Sequence, residues 1–183
     1  MTYFNTSQFL WGTFIFAVVP TALITLVAFG SKKVLDIKRA DQSTQKPILP
    51  VSGMCTGFLA GLIACALWLT WGSNSGPLDF FTRGLPQQFM AFQPICFYIT
   101  MITLSGLVTA KYARFSGTLL TVSAFTASGY TTFFYFGASF GVGILTGFGA
   151  LIFHILLTLM LLATNGILLA VLRSRGTNSE GPL

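Results

Sequence analysis

The chain has 183 residues, 54% of them hydrophobic and only 8% charged, and a formal net charge of +6. Soluble domains carry roughly 25% charged residues, so this composition cannot supply a water-facing surface. In a soluble protein the positive charge would invite a nucleic-acid reading, but the Lys and Arg residues gather at the ends of apolar runs rather than on one face, and no nucleic-acid partner is expected.

Crossing the hydrocarbon core of a bilayer takes about 20 helical residues. Uncharged runs of that length lie at 9–30, 51–72, 89–110 and 117–136, and a fifth falls within 141–172, its crossing part ending near 166. A charge at the centre of a span costs about 2.5 to 3.5 kcal/mol, while each Leu, Ile, Phe or Val contributes about −0.3 to −0.6. All five runs should therefore insert. Barrel strands would be about ten residues long with strict alternation, a pattern these runs lack. The expected fold class is all-α: a polytopic transmembrane bundle of five spanning helices in one domain, 1–172, followed by a short tail, 173–183.

In the first run no basic segment precedes the apolar stretch and no small-residue cleavage site follows it, so a removable signal peptide is not expected. Pro20 lacks a backbone donor and should kink this helix. Thr13, Ala17, Thr21 and Thr25 share one face at four-residue spacing. The segment 31–50 then carries Lys32, Lys33, Lys38, Arg39 and Lys46.

The second run places Gly53, Gly57 and Gly61 at four-residue spacing, with Ala64 and Cys65 continuing the face. Small-xxx-small ridges let helix backbones approach closely in lipid, so this ridge marks tight packing, either inside the chain or against another subunit. The outer loop, Ser73 to Gln88, mixes turn residues with Phe80 and Phe81; it either lies on the membrane surface, the plainer expectation, or folds over the helix ends. Cys55, Cys65 and Cys96 form no ligand-spaced set and read as small buried packing residues.

The fourth run is rich in hydroxyls: Thr121, Ser123, Thr126, Ser128, Thr131 and Thr132. In the fifth, Gly143, Gly147, Ala150, His154, Thr158, Leu161 and Asn165 form a stripe, with Gly143 and Gly147 as further packing positions. A helix of 32 residues would span about 48 Å, so this one should tilt, break near Asn165 and Gly166, or project into the cytoplasm, the last being preferred.

The basic residues fix the topology. Nine lie in 31–50, in the link after the third run (Lys111, Arg114) or in the tail (Arg173, Arg175), against Arg83 alone on the other side. The positive-inside rule then puts the amino terminus outside and the carboxyl terminus in the cytoplasm, in a bacterial-type cytoplasmic or organellar inner membrane. Trp11, Trp68 and Trp71, with Tyr130 and Tyr135, would form an aromatic belt at the outer surface.

His154 is the lone histidine and the one strongly polar titratable group near the middle of a span, which makes it the default functional candidate. It could relay a proton or ion, hydrogen-bond a substrate, or ligate a haem or chlorophyll-type pigment. A bis-His haem would need a second histidine from elsewhere. The plainer alternative is a neutral imidazole hydrogen-bonded across a helix contact, for instance to a hydroxyl of the fourth helix. A polar path, if one exists, would use Thr21, Thr25, Ser128, Thr131, His154, Thr158 and Asn165. Asp36, Asp41, Asp79 and Glu180 all lie outside the spans, which argues against a carboxylate-coupled pump. No catalytic triad, metal cluster or phosphate loop can be assembled, so no enzyme, metal or resident cofactor is expected. The partners expected are lipid and other membrane-protein subunits. Three functions remain: a mainly structural subunit of a larger transport or energy-transducing complex, a small transporter or channel around His154, or a pigment- or haem-binding subunit.

Overall fold

A computed structural model describes residues 3–37, 51–86, 88–112, 118–140 and 145–177. The described residues are helical throughout their long elements: α1 (Thr6–Thr13), a π-helical turn (Phe14–Val18), α2 (Val19–Ile37), α3 (Val51–Trp68), the single turn α4 (Phe80–Arg83), α5 (Phe92–Tyr112), α6 (Thr118–Ala138) and α7 (Leu145–Thr177). Among the described residues four segments are long and apolar enough to cross a membrane: Thr6–Ala28, Val51–Trp68, Phe92–Tyr112 and Gly149–Leu172. The fourth sequence run forms a helix, α6, but is not among these four.

Its position explains its composition. α6 packs against every other described helix, so its side chains meet protein on all sides and need not be apolar for lipid. Ser123, Thr126 and Thr131 are fully buried there. The helix is 21 residues long. It runs parallel to α3, since Gly57 approaches Val122 and Gly61 approaches Thr126 and Gly129. It runs antiparallel to α7, since Thr131 meets His154 and Ser123 meets Asn165.

The α3–α6 contact is built on glycine. A Cβ on Gly57 would stand 3.2 Å from the Val122 carbonyl oxygen, and one on Gly61 would strike the Thr126 carbonyl. Gly129 answers from α6, where a Cβ would meet the Phe58 carbonyl and lie 3.0 Å from the Leu62 nitrogen. Gly53 is buried on the same helix. The Gly57–Gly61 face is therefore occupied by this chain's own α6 rather than left open for another subunit. Gly143 lies outside the described residues, and Gly147 is described only as part of the α7 backbone.

The first helix carries a π turn just before Pro20. Its missing N–H and the clash of its ring with the carbonyl four residues back coincide with the π turn at Phe14–Val18, where the Val19 N–H donates to the Phe14 carbonyl, five residues back. The wider turn absorbs the proline without ending the helix, and α2 begins directly after it. α7 is likewise unbroken at Asn165 and Gly166 and runs beyond its apolar stretch to Thr177.

The loop from Ser73 to Gln88 folds over the helix ends. Phe80 is buried and stacks on Phe133, ring centroids 4.5 Å apart, while Phe81 stays exposed. Gly84 follows with φ +82°, its Cα facing the Gly137 carbonyl and Phe140, a position that a side chain would both strain and crowd. Gln93, fully buried, closes the C-terminus of α3: its amide donates to the Trp68 and Trp71 carbonyls at 3.0 and 2.9 Å and accepts from the Met90 N–H at 2.6 Å.

Two expectations are corrected. Tyr130 and Tyr135 are inside the bundle, not in an interfacial belt: Tyr130 packs on Phe153 at 4.6 Å and Tyr135 stacks on Phe16 at 5.4 Å. Both belong to the helix that is enclosed on every side, so their rings find protein before headgroups. Of the cysteines, Cys65 is buried, but Cys55 is exposed and Cys96 half-buried.

Candidate functional site

The stripe on α7 turns inward: Ala150, His154, Thr158, Leu161 and Asn165 are all buried. It carries two polar layers, 11 residues and so about 16 Å apart along the helix, with Leu161 between them.

His154 forms the first layer. Its Nδ1 lies 2.8 Å from the Thr131 hydroxyl of α6, and its Nε2 lies 3.5 Å from the Thr21 hydroxyl of α2. Hydrogen-bond bookkeeping assigns the tautomer. Thr131 gives its own hydrogen to the Ala127 carbonyl at 3.0 Å, so its oxygen accepts and Nδ1 carries the ring hydrogen. The Nε2 lone pair then faces Thr21, whose hydroxyl donates. A neutral imidazole thus joins hydroxyls from two different helices, with no carboxylate beside it. Thr21 reaches this layer from the first residue after Pro20, immediately beyond the π turn.

The second layer was not legible as a group. The Asn165 amide donates to Ser105 of α5 at 2.7 Å and reaches Ser123 of α6 at 3.3 Å, and all three residues are buried. Ser105 gave no signal, being one of four Ser and Thr residues in its run. Ser123 was one of seven Ser and Thr residues on its helix.

The remaining path residues do not join the histidine. Thr25 donates to the Thr21 carbonyl at 2.7 Å, and Thr158 to the His154 carbonyl at 2.8 Å, the back-bonding ordinary for helical Thr. Ser128 is buried without entering the ring's hydrogen bonds. The His154 side chain is fully buried, with the Thr131 hydroxyl at Nδ1 and the Thr21 hydroxyl facing Nε2. Among the described residues no group of three His, Cys, Asp or Glu side chains comes together for a metal ion.

Comparison with protein-family models, with curated proteins and with solved structures returned no match. The class rests on the fold itself: an all-helical, multi-pass membrane protein in contact with lipid. Its particular function is argued from the site.

Proposed function

We propose that the chain is a small membrane transporter in which His154 passes protons. The observation that carries this reading is the imidazole suspended between Thr21 and Thr131. A group that can bind a proton at one nitrogen and release one at the other sits between two hydroxyls able to donate or accept. A π turn, a feature frequent at functional sites, lies at the adjoining level of the neighbouring helix.

The site requires α6 to cross the membrane as a fifth span. Its length, its parallel course beside α3 and its antiparallel course beside α7 support that reading, and the asymmetry of nine basic residues against one supports an external amino terminus and a cytoplasmic carboxyl terminus. A bacterial-type cytoplasmic membrane or an organellar inner membrane accommodates this charge bias.

A role as structural subunit of a larger complex has lost its main support, because the Gly57–Gly61 face is spent inside the chain. It retains the exposed apolar face of the first helix, including Leu10, Phe14 and Val18, which lipid covers equally well.

Proteoliposomes loaded with a pH-sensitive dye test the transport reading. Wild-type vesicles should dissipate an imposed pH gradient, and His154→Ala should slow this at least tenfold. Wild-type vesicles that hold the gradient as long as protein-free ones would overturn the proposal.

A further inference from the structure

Between α3 and α5 the chain frames an open cavity of about 360 Å³, within the range of about 300 to 1,000 Å³ common for small-ligand sites. Its lining includes the polar residues Asn74, Ser75, Asp79, Arg83 and Gln88. Asp79 and Arg83 are the only charged residues between Trp68 and Lys111, and both fall on this cavity.

The walls are tied by the chain's own hydrogen bonds. The Gly72 N–H donates to the Ser75 carbonyl at 3.1 Å, and the Ser73 N–H to the Gln88 carbonyl at 3.2 Å, which joins the two ends of the loop. Asp79 Oδ2 accepts from the Gly76 N–H at 2.8 Å, and the Arg83 N–H donates to the Asp79 carbonyl at 2.7 Å. Walls that are ordered beforehand lower the cost of binding. The two charges are not spent on holding these walls. Arg83 Nε stands 3.9 Å from Asp79 Oδ1, with the side chains 77% and 39% exposed. That separation is longer than a hydrogen bond, and exposed ion pairs contribute little to stability. Each charge therefore keeps hydrogen-bonding capacity for a ligand.

The place of the cavity narrows what that ligand is. The loop joins two segments able to span the membrane, Val51–Trp68 and Phe92–Tyr112, so its residues lie at the level of lipid headgroups. Leu78 and Phe81, on either side of Asp79 in the chain, are 81% and 61% exposed and offer acyl chains an apolar rim. A guanidinium is suited to phosphate oxygens, and a carboxylate to an ammonium.

We infer that this cavity binds the headgroup of an aminophospholipid, its phosphate on Arg83 and its ammonium on Asp79. A zwitterion matches a site with one charge of each sign. A purely anionic headgroup would meet the Asp79 carboxylate, and a choline headgroup has no N–H to donate to it. The site stands apart from His154 and does not depend on the transport reading.

Native mass spectrometry of the purified full-length protein, exchanged into detergent with equal amounts of phosphatidylethanolamine, phosphatidylcholine and phosphatidylglycerol, tests the inference. Wild type should retain phosphatidylethanolamine at least tenfold over the other two. Arg83→Gln should lose that retention at least tenfold. Asp79→Asn, which keeps an acceptor for the Gly76 N–H, should bind phosphatidylethanolamine and phosphatidylglycerol equally. Both variants should melt at the wild-type temperature in lipid-free detergent, because the exposed pair does not hold the loop. Excess free O-phosphoethanolamine separates the two sources of the same chemistry: displacement of the lipid supports recognition of the headgroup alone, and resistance supports a lipid held by its chains as well. Equal retention of the three lipids by wild type overturns the inference, whatever the variants do. An ethanolamine preference that persists in both variants overturns it as well.

Discussion

Across the contact between α3 and α6, Gly61 and Gly129 face each other so closely that a Cβ on Gly129 would stand 3.1 Å from the Gly61 Cα. Helices already in lipid gain little from burying apolar surface, and their association relies on close van der Waals approach. The pair brings the hydroxyl-rich α6 into the centre of the bundle, and with it Thr131, the partner of His154. Gly61→Ala must displace the Thr126 backbone and should cost about 1 to 3 kcal/mol. Gly57→Ala, with 3.2 Å to the Val122 oxygen, should cost less, and Gly30→Ala, with open space around it, should be neutral. Thermal unfolding in mild detergent gives the order; equal melting temperatures for Gly61→Ala and Gly30→Ala contradict it.

Gln93 ties the end of α3 to the start of α5 through three hydrogen bonds. Gln93→Leu leaves the Trp68 and Trp71 carbonyls and the Met90 N–H without this partner, at about 1 to 3 kcal/mol for each group that stays buried. Limited proteolysis should then cut the loop between residues 73 and 90 faster than in wild type. An unchanged cleavage rate would show that the glutamine does not hold the loop.

Phe80 and Phe81 are adjacent and chemically identical, yet one is buried and the other exposed. Phe80→Ala removes the ring stacked on Phe133 and should cost about 3 to 5 kcal/mol. Phe81→Ala should shift the melting temperature little. Reversal of that order places the loop on the membrane surface instead of over the helix ends.

The Asn165 layer joins three helices. Asn165→Leu deprives Ser105 and Ser123 of their common donor, and hydrogen bonds between membrane helices average about 0.6 kcal/mol with a maximum near 1.7. The loss should therefore be measurable but modest, near 1 kcal/mol, and larger than for Thr25→Val, whose hydroxyl bonds only its own helix. A Thr25→Val effect equal to that of Asn165→Leu would deny the layer its role.

Much of the architecture was legible because lipid imposes length and apolarity on a helix, and each long uncharged run corresponds to a helical segment, though the first and fifth continue well past the expected ends, to Ile37 and Thr177. The inward stripe through His154 and Asn165 was legible too, because 3.6-residue periodicity fixes which side chains share a face. Partner choice between helices was not. Nothing in the sequence marks Gly129 as the answer to Gly61 or Ser105 as the acceptor for Asn165, since those pairings follow from how helices far apart in the chain are placed together. Tyr130 and Tyr135 illustrate the same point: belt statistics apply to helices that touch the interface, and α6 is surrounded by protein. Pro20 announced a disturbance in the first helix, but not that a π turn would absorb it.

The site needs α6 to traverse the bilayer, which makes the number of crossings odd. Single cysteines at Tyr3 and Ser174, introduced after replacing Cys55, Cys65 and Cys96, can be probed with an impermeant thiol reagent in sealed, oriented vesicles. Five crossings predict labelling from opposite sides, position 3 from the outside and position 174 from the cytoplasmic face. Labelling of both from one side means an even number of crossings, and with it the placement of Thr131 beside His154 at membrane depth fails.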